Sequence, residues 1–137
     1  MKTILNKSIL IVDDDPGMLR ALDKVLSGEG ALVTSAEWGG DAVEILNQRR
    51  NQIDLVITDL RMPLVTGISL LRAMQSSFPS IPVIVLTAFG SPEAKAACHE
   101  LGASVILEKP LDSARLLVAI GEVLDARDAQ DAQDATG

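Results

Sequence analysis

Asp13, Asp14, Asp59, Thr87 and Lys109 are the side chains of this sequence that could do chemistry together. Each stands at or just beyond the end of a short apolar run, so a parallel sheet would collect them along one edge. Clustered carboxylates repel one another, and at least one is then forced toward its protonated form. A divalent cation relieves that repulsion. Magnesium suits the donor set, because it prefers hard oxygen ligands and keeps several waters. A carboxylate can also attack phosphorus to give an aspartyl phosphate. A metal ion and a lysine then neutralise charge on the transferring oxygens, and a hydroxyl helps to position them. On this reading Asp59 is the nucleophile and Asp14 a metal ligand with Asp13 acting through water. Lys109 supplies the cation and Thr87 the hydroxyl.

Such a cluster exists only if the chain folds to bring it together, and the hydropathy pattern describes such a fold. Ser8 to Val12 is a continuous apolar run, the pattern of a strand covered on both faces. Asp15 before Pro16 then reads as an N-cap followed by a first helical residue. Met18, Leu19, Leu22, Val25 and Leu26 share one helical face, and Gly28-Glu29-Gly30 ends it. The same alternation repeats. Strands are expected over 31–35, 54–58, 83–86 and 104–107, with Asp59 and Thr87 at the ends of the third and fourth. Helices follow, the third capped by Thr66, the fourth by Ser91 ahead of Pro92 and the fifth by Asp112. Repeated strand–helix units imply an α/β fold, a parallel sheet with helices on both faces. In such sheets ligands bind beyond the carboxyl ends of the strands.

Bulk properties narrow the function. At 47% hydrophobic residues the chain can build one core without disulfides or a structural metal, and at 2% aromatics that core is aliphatic. A net charge of -7 argues against a direct grip on nucleic acid, which needs a basic face. The lone Cys98 excludes an internal disulfide. With no apolar run of membrane-spanning length and no signal-type h-region, a cytoplasmic location is expected, with no membrane partner. Residues 1–124 are expected to form the domain. Residues 125–137 are a low-complexity acidic tail with four Asp and one Arg. The tail is expected to prolong the last helix for a turn or two and then to be disordered.

Val12-Asp13-Asp14-Asp15, Asp59-Leu60-Arg61-Met62-Pro63, Leu86-Thr87-Ala88 and Lys109-Pro110 resemble, in order, the motifs of bacterial two-component response-regulator receiver domains. The stretch around Asp59 is most similar to receivers of the nitrogen-regulation type. The resemblance covers about Ile9 to Leu124. It implies a flavodoxin-like (βα)5 doubly wound sheet with strand order 2-1-3-4-5. It also implies Mg2+ held by Asp13, Asp14, Asp59 and the backbone carbonyl of Arg61, Asp59 as phospho-acceptor, and Thr87 and Lys109 as its partners. A cis peptide before Pro110 belongs to the same pattern. The implied partners are a histidine kinase or histidine phosphotransfer protein and a downstream protein target or effector domain, and homodimerisation through the helix-four to helix-five face is compatible with it. Such a domain is a switch with its own phosphorylation and dephosphorylation chemistry rather than an enzyme.

The chain departs from that pattern at three places. Ile106 stands where an aromatic switch residue is frequent, so the switch of Thr87 and Ile106 must work without a ring. Thr66 stands where Asp is frequent, and Leu111 where Phe is usual. The competing reading is a degenerate receiver, an interaction module that works without phosphorylation. A haloacid-dehalogenase-type phosphatase would need an acid where Arg61 stands, and a nucleotide fold would need a glycine-rich first loop. Cys98 and His99, adjacent on a helix, point about 100 degrees apart and chelate poorly, so both read as structural or surface residues. Trp38 reads as a surface or packing residue, and Phe89 is placed near the mouth of the site.

Overall fold

The computed structural model describes residues 4–59, 65–88 and 92–136, with side chains from 68 in the second stretch and to 131 in the third. Strands and helices alternate: β1 (Ser8–Val12), α1 (Pro16–Gly28), β2 (Leu32–Ala36), α2 (Gly39–Gln48), β3 (Leu55–Asp59), α3 (Val65–Ser77), β4 (Val83–Thr87), α4 (Pro92–Glu100), β5 (Val105–Glu108) and α5 (Ser113–Thr136). All neighbouring strands pair in parallel, in the expected order β2-β1-β3-β4-β5.

Burial explains why three strands read as unbroken apolar runs. Every residue of β1, β3 and β4 is buried, because these strands have neighbours on both sides and helices on both faces. Alternate side chains feed two cores. Leu10, Val12, Val56 and Val85 pack with Leu46 of α2 and Leu70, Leu71 and Met74 of α3. Ile9, Ile11, Ile57 and Leu86 pack with Leu19, Leu22 and Leu26 of α1 and Leu116 and Ile120 of α5. The edge strands β2 and β5 are partly exposed, and β2, β3 and β5 each begin one residue later than expected.

Local chemistry fixes the helix ends. The Asp15 carboxylate accepts from the Gly17 amide at 2.9 Å with Pro16 in the first turn of α1, and Asp112 accepts from the Ala114 amide at 2.9 Å. Both caps are as expected. The Thr66 cap is not: α3 begins at Val65, which puts Thr66 inside the first turn. The Ser91 cap lies outside the described residues. After α1 the chain turns at Gly30, whose φ is +89°; a Cβ there would run into the Leu5 side chain.

The C-terminal segment differs most from its expectation. Helix α5 does not stop a turn or two past Leu124 but continues to Thr136. Arg127 fastens it: its Nη1 donates to the Asp54 carbonyl at 2.8 Å and pairs with Asp54 Oδ1 at 3.1 Å. Asp54 Oδ2 in turn accepts from the Ser8 amide at 2.8 Å. No described helix is long and apolar enough to cross a membrane.

Candidate functional site

Register brings the chemical groups to one pole of the sheet. Val12 pairs with Thr58, Asp59 with Leu86 and Thr87 with Glu108. Asp13 and Asp14 therefore leave β1 beside Asp59 at the end of β3, with Thr87 and Lys109 at the ends of the next two strands. The Asp13 backbone is held as well, its amide donating to the Ala36 carbonyl at 3.1 Å.

Asp13 and Asp59 are buried carboxylates, 1% and 0% exposed, while Asp14 faces solvent. One oxygen from each of the three lies within 4.8 Å of the others. Lys109 reaches in from β5, its Nζ 3.1 Å from Asp59 Oδ2 and 3.4 Å from Asp13 Oδ2. The Lys109 backbone amide donates to the Thr87 carbonyl at 2.8 Å, so the backbones of the lysine and the buried Thr87 are tied together. The Lys109–Pro110 peptide is cis, as expected.

One ammonium faces more negative charge than it can balance. Burial pushes the Asp13 carboxyl above its ordinary range and the charge of Asp59 adds to the rise; a hydrogen bond from the Asp15 amide and the nearby Lys109 oppose it. Ligand oxygens around a six-coordinate Mg2+ stand about 3 to 4 Å apart, given bonds of about 2.1 Å. Three hard oxygens this close, one of them open to water, fit such an ion with small side-chain adjustments.

Family comparison agrees with this geometry. Residues 9–121 match the family model described as response regulator receiver domain. The chain belongs to that family. Among curated relatives, the receiver is 44% identical over 118 residues to transcriptional regulatory protein GlrR of Escherichia coli strain K12, covering 85% of this chain and 26% of that protein. It is 33% identical over 113 residues to DNA-binding transcriptional regulator NtrC of Proteus hauseri, covering 82% and 24%, in keeping with the nitrogen-regulation resemblance. The receiver thus spans about a quarter of the length of these relatives. Among solved structures, a chain of the CheX–CheY complex with BeF3 and Mg2+ from Borrelia burgdorferi superposes with a TM-score of 0.79 at 30% identity, covering 87% of this receiver and 90% of that chain.

Asp13, Asp14, Asp59 and Lys109 are brought together, and Thr87 ends the strand beside Asp59. Arg61 and Phe89 fall outside the described residues. Ile106 sits below the pole, opposite Val85 on the edge strand β5, half-buried against the α2–α3 core. Cys98 is buried in that same core and His99 is exposed on α4, while Trp38 is exposed in the β2–α2 connection. A groove of about 560 Å³ lined by Ile81, Pro82, Val105, Val123 and Arg127 lies at the opposite pole. Size therefore does not mark the chemistry here; the carboxylates do.

Among the ion pairs of the described residues that sequence reasoning had no cause to expect, two bear on the poles of the sheet. Arg127 with Asp54 is one. The other joins Lys95 of α4 to Glu108 of β5 at 2.6 Å, which holds the Glu108 carboxyl below its ordinary value. The lone Arg in an acidic tail was a signal for the first. The second had none, since Lys95 and Glu108 are 13 positions apart on different elements.

Proposed function

We propose that this receiver takes a phosphoryl group from a phosphohistidine, on a histidine kinase or phosphotransfer protein, onto a carboxylate oxygen of Asp59. The donor's N–P bond breaks as the new O–P bond forms, and the freed imidazole leaves. Water later attacks phosphorus, releasing inorganic phosphate and restoring the carboxylate. The observation that carries this reading is the buried Asp59 carboxylate, paired with Lys109 at 3.1 Å and crowded by Asp13 and Asp14.

Asp13, Asp14 and Asp59 would hold Mg2+, with the Arg61 carbonyl as a further ligand. Bound there, the ion supplies positive charge that lets the acids and the phosphoryl oxygens approach one another. The relative from Borrelia burgdorferi was solved with Mg2+ and BeF3, a stand-in for a phosphoryl group, which supports the same pairing here. Lys109 holds a second positive charge at the acceptor oxygen, and Thr87 offers its hydroxyl from the adjacent strand. Phosphorylation then biases the face made by α4, β5 and α5, with Thr87 and Ile106 as the switch pair. That face would act on a downstream protein or effector domain of a cytoplasmic regulator, with homodimerisation as one route. The complete set of acids and lysine works against a degenerate module.

The test is to incubate the protein with Mg2+ and acetyl phosphate and weigh it intact. A base-labile phosphoryl adduct is expected in wild type and none in Asp59→Asn or without Mg2+. An unmodified wild type, or an adduct that survives in Asp59→Asn, overturns the reading.

A further inference from the structure

Helix α4 is thinly seated. Cys98 is its buried residue, and its C-terminal carbonyl at Glu100 accepts from Gln75 Nε2 at 3.0 Å on the exposed side. The strand beside it, β5, is a four-residue edge strand with no fully buried position. Between these two weakly held elements runs the Lys95–Glu108 pair at 2.6 Å, with both side chains partly in water.

The place of Glu108 gives that pair a reach beyond its own strength. Glu108 precedes Lys109 in the chain and pairs in register with Thr87. The Lys109 amide is bonded to the Thr87 carbonyl at 2.8 Å, and the Lys109 ammonium sits between Asp59 and Asp13. Successive strand residues point to opposite sides, so a shift of the backbone at 108–109 is felt inward by Lys109 and outward by Glu108. Ile106, two residues earlier, has no ring to carry a rotamer change to the surface.

We propose that Lys95–Glu108 is a strut through which the charge at Asp59 is read by α4. When the acid's charge changes, Lys109 is repositioned, Glu108 moves with it, and Lys95 passes the displacement to the helix. Lys95 and Glu108 are positioning residues in this scheme. This assignment deepens the phosphoryl-acceptor reading, but its mechanical core requires only that Lys109 respond to Asp59.

The test is amide hydrogen exchange of the full chain, followed on α4 with α1 as internal reference, in wild type, Asp59→Asn, Glu108→Gln, Lys95→Met, the double variant Asp59→Asn with Glu108→Gln, and the charge swap Lys95→Glu with Glu108→Lys. Neutralising either end of the strut should speed α4 exchange by about two- to fivefold, the range an exposed ion pair delivers. Asp59→Asn should change α4 exchange when Glu108 is present and leave it unchanged in the Glu108→Gln background, and the swap should restore wild-type protection. An Asp59-dependent response of equal size in both backgrounds, or no response of α4 to Asp59→Asn, overturns the strut. Because Asp59→Asn removes the charge without any phosphate, that outcome is independent of whether acetyl phosphate modifies the protein.

Discussion

The two poles of the sheet each hold an aspartate against a cation, and they are built on opposite principles. At the amino pole, Asp54 is balanced: one oxygen accepts from the Ser8 amide and the other pairs with Arg127, whose Nη1 also satisfies the Asp54 carbonyl. At the carboxyl pole, Lys109 faces Asp13 and Asp59 together, with Asp14 close by. The first arrangement sets one carboxylate against one guanidinium and ties β1, the residue before β3 and α5 together. The second sets two buried carboxylates against one ammonium among the described residues, a crowding of negative charge that a bound cation would relieve. Stability and reactivity are thus distinguished by charge balance rather than by residue type.

The most severe way to break this contrast is Lys109→Met. It leaves two buried carboxylates facing each other, and removal of one member of a buried ionic cluster costs about 3 kcal/mol or more. Urea unfolding without Mg2+ should show the loss, and Mg2+ should return part of it. A wild-type-like midpoint would mean that the acids tolerate one another unaided.

In wild type, Mg2+ at about ten times its Kd should raise the unfolding free energy by about 1.4 kcal/mol, visible as an upward Tm shift that Asp13→Asn diminishes. An equal shift in that variant would place the ion elsewhere.

At the balanced pole, Arg127→Ala should cost about 1 kcal/mol, because the pair is partly exposed and the Ser8 amide still holds Asp54. Acetyl phosphate labelling of Asp59 should be unchanged. Reduced labelling would show that the poles are coupled.

The smallest expected effect is a gain. The Asp13 carboxyl is raised in the folded protein, so the unfolded chain gives up its proton first as pH increases. Metal-free stability from this group is therefore full below its unfolded value and falls as pH climbs from about 3.8 through the raised folded value. Asp13→Asn should remove that decline and stabilise the metal-free protein at neutral pH. A pH–stability curve with the same slope in both proteins would contradict the assignment.

By itself the sequence determined the strand–helix alternation, the caps at Asp15 and Asp112, and the residues of the acidic pole. These are local signals: period, capping chemistry, and polar residues at the ends of apolar runs. Interior strands such as β1 were legible because burial on both faces leaves an uninterrupted apolar run, whereas strand ends, those of β2, β3 and β5 alike, follow from the pairing of neighbouring strands. Only tertiary structure could decide that Lys109 stands 3.1 Å from Asp59, that Glu108 meets Lys95, and that Arg127 returns to Asp54 and carries α5 on to Thr136. Those pairings join residues far apart along the chain or on separate elements, and they depend on register and helix direction, which no short window of residues encodes.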